Sequence, residues 1–490
     1  DSVILGAGDA NLTLGAGADT VTTTSANLTG QHTIDGGTGT DQLILSDAAT
    51  VVDNDFRNVS AIETLTAASN ADTTVTLEDK ASATGITTVT LSTGNDVLST
   101  TSEFTQNLTV VGGTGTMTVT HNGTGTLNFT GGTGVDTVVL SAGNSTVVSG
   151  NGNDVVTMGA GALTYTGGTG TTALTMGAGT LSLTGGSGAE TVNIANGQLT
   201  SADTIAGSTG TDVLAVSVDA TTLVDANFTN VTAVESLTAS GGFALTATLG
   251  AEALEATLDS ITGHSGADSI NAAGFGGAIT ILGGAGNDTI VGTSTAHVDT
   301  ITPGAGGDHI TITDTGTTAA DIVYLGLVAD ANDTIVGFIS GTDEIHLDRA
   351  NTSVATNTDT EVAITVNVSS DLVMSGAYAD TTDYDTTAQD FIEVLGYNQD
   401  NVDLSSTFTG AEFLKGFAAT GGTCSGYTVD IADDALFFVV YDAGNAYVFH
   451  GDAGVNIVID STEITAVAEI TGIATGGLNV AADGDFNLYA

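Results

Sequence analysis

Apolar positions recur at a fixed interval along much of this chain. Between Gly131 and Val192, the residues Val138, Val156, Leu174 and Val192 stand 18 apart. Each follows by two positions the close of a polar turn: G-G-T-G-V-D ending at Asp136, S-G-N-G-N-D at Asp154, G-G-T-G-T-T at Thr172 and G-G-S-G-A-E at Glu190. Halfway between them runs a second series, S-A-G-N from Ser141 and M-G-A-G from Met158 and Met176. The unit is therefore nine residues, six of turn and three of apolar-centred strand. Such a unit cannot bury its apolar side chain alone, but two facing units make a coil and stacked coils bury a continuous core. The pattern predicts an all-β fold, a right-handed parallel β-roll or β-helix solenoid with calcium-binding turns, followed by a smaller C-terminal β-rich domain. The turn glycines are expected to supply backbone angles with positive φ.

The residue closing each turn carries the candidate chemistry. Where turns stack, a carboxylate and the backbone carbonyls around it converge, which suits a hard cation with a flexible, oxygen-rich shell, calcium above all. The candidate ligands are Asp19, Asp41, Asp96, Asp136, Asp154, Glu190, Asp212, Asp268, Asp288 and Asp308, with Asp299 on the opposite row and Asp333 and Asp343 near the end of the repeats. Asp268, Asp288 and Asp308 lie 20 apart, as if each coil gained two residues. Thr172 removes a carboxylate from its row, and Leu163 and Leu181 hold the equivalent position on the opposite one. The nonapeptide G-G-x-G-x-D-x-U-x resembles that of the RTX family of secreted calcium-binding β-roll proteins.

Charge strengthens this picture. Only 12% of residues are charged, about half the usual ~25%, and they comprise 57 Asp and Glu against four Lys and Arg, for a net charge of −53. Self-repulsion opposes compaction unless cations neutralise it. Without clustered basic residues a nucleic-acid groove is excluded, and anionic membrane surfaces are disfavoured. The longest apolar run, A-L-F-F-V-V-Y from Ala435, is far too short to span a bilayer. The single cysteine, Cys424, has no internal disulfide partner. The chain opens inside the repeat, with L-G-A-G from Leu5 and Leu14, so a further N-terminal part is expected before Asp1.

One long segment occurs twice. D-F-R-N-V-S-A-I-E-T-L-T-A from Asp55 matches N-F-T-N-V-T-A-V-E-S-L-T-A from Asn227, and the duplication extends over about 60 residues with an offset of 171 and then 172. Apolar residues every three positions fit neither strand nor helix well, so an irregular or 3₁₀-like corner is expected. The expected organisation is a first module, 1–206, with this insert near 46–90, a second module, 207–348, and a C-terminal domain, 349–490. The phrase F-x-N-V-x-A-[I/V]-E-x-L resembles segments of RTX-type surface-layer proteins of Gram-negative bacteria. D-T-I-V-G-F-I-S-G-T-D-E-I-H-L-D, Asp333 to Asp348, resembles the close of an RTX β-roll, and the terminal G-D-F-N-L-Y-A resembles a type I secretion tail. Ala435 to His450 reads as a β-hairpin around an Asp-Ala-Gly-Asn turn.

Catalytic motifs are missing. The seven histidines are scattered with no H-E-x-x-H, and neither G-x-S-x-G nor a phosphate-binding glycine loop occurs. The resemblance implies a secreted, calcium-loaded structural protein at the cell surface, not an enzyme, that assembles with copies of itself into a surface-layer lattice. A cell-surface polysaccharide is the further partner expected, through the part preceding Asp1. Two alternatives stand beside this reading: the calcium-binding export region of an exo-enzyme, and an adhesin or ice-binding solenoid, suggested by tracts such as T-L-S-L-T from Thr180.

Overall fold

The computed structural model describes residues 1–348 apart from the short stretches 49, 69, 71, 218–219, 295–296, 315–318 and 327–331, and beyond 348 it describes chiefly the strands. Cys424, Arg349 and Lys415 lie outside the described residues. The described chain is built from stacked parallel strands, a β-solenoid, and divides into two compact units.

The first unit comprises Asp1–Ser217, Ala226–Leu237 and Glu255–Thr257. Over the 18-residue repeat, successive half-coils alternate between two sheets. Leu127–Thr130, Ser145–Val148, Leu163–Thr166 and Leu181–Thr184 pair in parallel on one side. Asp136–Leu140, Asp154–Thr157, Thr172–Thr175 and Glu190–Ile194 do so on the other. Burial alternates along each strand, so Val147, Tyr165 and Leu183 from one sheet and Val138, Val156 and Leu174 from the other fill the interior. The nine-residue period is thus the alternation of faces. The closing carboxylate of each turn is itself the first inward-facing residue of its strand, as in Asp136–Leu140.

Glycine has a different role in this stretch from the one expected. Among Gly131, Gly132, Gly134, Gly150, Gly152, Gly168, Gly170, Gly186 and Gly188, positive φ occurs only at Gly150. What excludes a side chain is the stacking itself. A Cβ on Gly132, Gly150, Gly168 or Gly186 would overlap the carbonyl oxygen of Gly113, Gly132, Gly150 or Gly168 in the preceding coil. Positive φ is required elsewhere, for example at Gly284 and Gly304.

The duplicated insert forms the expected 3₁₀ corner twice, at Asp53–Phe56 and Asp225–Phe228, followed by the short strands Val59–Ser60 and Val231–Thr232. It also makes two short α-helices that the apolar pattern does not announce, Asp79–Thr84 and Ala251–Glu255. In the first, the Asp53 carboxylate accepts the N–H groups of Glu78 (2.8 Å) and Ala81 (2.9 Å) at the helix start. In the second, Asp225 accepts those of Gly250 (2.8 Å) and Ala253 (3.0 Å). Each is an N-cap supplied by the neighbouring coil.

The second unit comprises Val218–Asp225, Thr238–Leu254 and Leu258–Ala490. Its 20-residue coils are visible in the register Ile270, Ile290, Ile310 on one sheet and Ile281, Ile301 on the other. Ala435–Asp442 and Asn445–Asp452 form the expected antiparallel hairpin, with positive φ at Ala443 and Gly444 as a tight two-residue hairpin turn requires. Ile464–Ile470 pairs with both the hairpin and Asp333–Val336, and Phe486–Tyr489 lies parallel to Glu344–Asp348.

Candidate metal centre

All thirteen carboxylates singled out in the sequence are buried, and they fall into rows. In each row the side chain reaches back one coil to accept a backbone N–H. In the first unit, Asp41 Oδ1 accepts the N–H of Asp19 (2.7 Å). A second row contains Asp96, which takes Thr73 N–H (2.8 Å), Asp136, which takes Met117 N–H (3.1 Å), and Asp154, which takes Asp136 N–H (2.9 Å). Beyond Thr172 the row resumes where Asp212 accepts Glu190 N–H (2.7 Å). In the second unit, Asp268, Asp288, Asp308 and Asp333 form an unbroken row, each accepting from the coil before it at 2.6–2.8 Å. Asp299 and Asp343 belong to the other sheet, joined by Asp321, with Asp299 N–H donating to Asp321 (2.8 Å) and Asp321 N–H to Asp343 (3.2 Å).

Four row members escape the glycine rule. Glu63 accepts Asp41 N–H (2.8 Å) and Glu235 accepts Asp212 N–H (2.7 Å). These are the glutamates of the duplicated F-x-N-V-x-A-[I/V]-E phrase. Two residues before each, Ala61 (φ 53) and Ala233 (φ 52) hold the left-handed turn that glycine would otherwise supply. Asp203 accepts Leu181 N–H (2.7 Å), and Asp321 is the fourth. Their spacing of 22–23 residues from known row members was the available signal.

The other oxygen of many of these carboxylates is the unusual feature. Asp19, Asp41, Asp136, Asp154, Glu190, Asp212 and Asp288 each keep one buried carboxylate oxygen without a hydrogen-bond partner. At Asp136 this Oδ2 and the Ser149 carbonyl oxygen share the space that a Cβ on Gly131 would fill. The same arrangement joins Asp41 to Ala61 O at Gly36, Asp212 to Ala233 O at Gly207, and Asp288 to Pro303 O at Gly283. Two acceptors facing one another out of water repel unless a proton or cation lies between them. The donor set, carboxylate plus carbonyl in a cradle emptied of side chains, fits calcium. Among the described residues the one tight cluster of three carboxylates, Asp53, Glu78 and Asp79, is of another kind. There Asp53 is already engaged by helix N–H groups and by Lys80 Nζ (3.2 Å).

Thr172 interrupts its row with neutral chemistry. The Tyr165 hydroxyl, from the facing strand, bonds to Thr172 Oγ1 and to Ser149 Oγ (2.8 Å), all buried. Asp154 N–H turns instead to the backbone carbonyl of Thr171 (2.8 Å). Asp154→Ala should therefore strand the Asp136 N–H and lower stability by about 1–3 kcal/mol as well as calcium stoichiometry. Thr172→Ala should leave stoichiometry unchanged; calorimetric calcium titration and thermal unfolding of both variants check this.

Burial raises the pKa of several carboxyls in these rows. Asp136 is pushed up to about 7 by desolvation and the neighbouring Asp154 charge, Glu190 to about 7 by desolvation and Asp212, and Asp288 to about 6 by desolvation and Asp268. A carboxyl whose folded pKa lies above its unfolded value binds its proton more tightly when folded. Its contribution is full below the unfolded pKa and is lost as pH rises through the folded one. Without calcium, the protein should be more stable at pH 5 than at pH 8, the loss setting in above the ordinary carboxyl values of 3.8–4.5 and complete by about pH 7. With saturating calcium this order should disappear, because the metal requires the deprotonated form. Denaturant unfolding at the two pH values, with and without chelator, measures both.

No family model, curated protein or solved structure matches the chain. Among the described residues no helix is long and apolar enough to cross a membrane.

Proposed function

We propose that this is a secreted structural β-roll whose coils close around calcium and whose copies assemble into an extracellular surface layer. The observation that carries the reading is the set of buried carboxylate rows with an unpartnered oxygen facing a carbonyl across a glycine cradle. Low intracellular calcium would leave the chain expanded by its own charge and fit for export. Millimolar calcium outside would fold it, as expected for sites with Kd of roughly 10⁻⁴ to 10⁻³ M.

The outer faces of the first unit support assembly. On one sheet Thr88, Thr109, Asn128, Thr146, Thr164 and Ser182 stand in register, and on the other Val97, Thr118, Thr137, Val155, Ala173 and Thr191 do. None of these outward positions carries charge in a chain of net −53, so lateral contact along them costs no like-charge repulsion. Elsewhere, surplus surface carboxylates need bridging cations. Protein folded at minimal calcium should form ordered sheets or arrays when calcium is raised to the millimolar range, followed by light scattering and electron microscopy. Magnesium should substitute poorly because it dehydrates reluctantly and demands stricter geometry. A strictly monomeric particle at millimolar calcium and high protein concentration would refute the lattice and favour the export region of an exo-enzyme.

A further inference from the structure

The turn from Gly112 to Met117 reads G-G-T-G-T-M, so it keeps the three glycines of the repeat and ends on a thioether where its neighbours end on a carboxylate. Met117 stands in register between Asp96 and Asp136, is the first inward-facing residue of its strand, and is buried. The stacking of this turn is that of the repeat. A Cβ on Gly113 or Gly115 would lie 1.7 Å from Ser92 O or 1.9 Å from Gly94 O of the preceding coil. Only the residue that closes the turn differs.

The difference falls on the cradle. At Gly131, Gly185, Gly207 and Gly283 the space that a Cβ would fill is bordered by a carboxylate oxygen at 2.3–2.5 Å and a carbonyl oxygen of the next coil at 2.0–2.2 Å. At Gly112 the same space is bordered by Met117 Cε at 1.9 Å and Sδ at 2.4 Å, and the nearest carbonyl oxygen from elsewhere in the chain, that of Thr130, stands back at 3.4 Å. That carbonyl already accepts the Gly112 N–H (2.8 Å). The end of the methionine thus lies where, one coil on, two oxygens face each other. The backbone differs to match. The Asp96 N–H, which a carboxylate at position 117 would take, donates to the Thr116 carbonyl (2.9 Å), as the Asp154 N–H does beside Thr172. Calcium takes hard oxygen donors, whereas a neutral thioether suits soft metals, and the methionine end is satisfied by packing alone.

We infer that Met117 is a specificity-determining residue of the calcium ladder: its thioether plugs the Gly112 cradle, excludes calcium from that turn and separates the Asp96 turn from the Asp136 and Asp154 pair. The inference rests on the calcium reading of the glycine cradles. With the glycines and the stacking already in place, a carboxylate is the one element this turn lacks, so Met117→Asp should build a site that the chain does not have.

The test counts bound calcium ions on the full chain by native mass spectrometry and follows calcium-driven folding by circular dichroism. Met117→Asp should bind one ion more than the unsubstituted chain, and its folding should depend more steeply on calcium concentration, because one more ion is taken up with the native state. Met117→Leu, which refills the cradle with apolar atoms, should leave both unchanged. An unchanged count in folded Met117→Asp would overturn the inference. So would an equal gain in Met117→Leu, or failure of Met117→Asp to fold in saturating calcium. A second measurement needs no substitution: anomalous difference density from calcium-grown crystals should show calcium beside Gly131 and none at Gly112, and a calcium peak in the Gly112 cradle would refute the plug. A chain that binds no calcium at all would refute the cradle reading and the plug with it, whereas calcium binding with an unchanged count in Met117→Asp refutes the plug alone.

Discussion

Removing calcium at neutral pH should unfold most of the protein. In excess chelator the strand signal in circular dichroism should fall and the hydrodynamic radius should rise, both returning when calcium is restored. Each occupied site contributes RT ln(1 + [Ca]/Kd), about 2.7 kcal/mol at 100 times Kd. A few such sites equal the whole stability of a typical domain, about 5–15 kcal/mol. Withdrawal does more than subtract that binding energy. The cradles then hold a buried carboxylate oxygen against a carbonyl, as at Asp136 and Ser149, and a net charge of −53 is left without counter-ions. Full β structure with an unchanged radius in chelator would show that the apolar interior suffices without metal.

The second large effect should come from a single methyl group. In Gly168→Ala the new Cβ would overlap the Gly150 carbonyl oxygen of the coil below, which is backbone and cannot swing aside. The coil must separate locally from its neighbour, breaking parallel pairing and the turn together, and a loss of more than about 4 kcal/mol is expected. Gly6→Ala is the matched control. Nothing lies within 4 Å of a Cβ there, so its effect should stay within about 0.5 kcal/mol. Denaturant midpoints for the two variants in calcium provide the comparison, and similar midpoints would refute the stacking account of the repeat.

That contrast also shows where the sequence was informative and where it was not. The nine-residue period, the lengthening to 20-residue coils around Asp288 and the hairpin at Ala443 and Gly444 were legible, because each depends on local spacing or turn chemistry. Positive φ, a local property, does not account for the glycines between Gly131 and Gly188, because the constraint on them comes from the adjacent coil. Glu63 and Glu235 carry no glycine signal because their turns use Ala61 and Ala233 in place of glycine. Asp203 and Asp321 likewise close turns without the glycine signature. Thr172 reads in sequence as a lost ligand. Only the fold reveals that Tyr165, seven residues earlier on the facing strand, fills its place with a neutral hydrogen bond. The helices at Asp79–Thr84 and Ala251–Glu255 are too short to set an apolar period, and each depends on an aspartate one coil away.

The most direct measurement is the anomalous difference density of crystals grown in calcium, recorded at a wavelength where calcium scatters anomalously. Peaks are expected about 2.3–2.6 Å from the free carboxylate oxygens of Asp136, Asp212 and Asp288, shared with the carbonyls of Ser149, Ala233 and Pro303, and none is expected beside Thr172. Ordered carboxylates at these positions with no anomalous peak in calcium-saturated crystals would contradict the account.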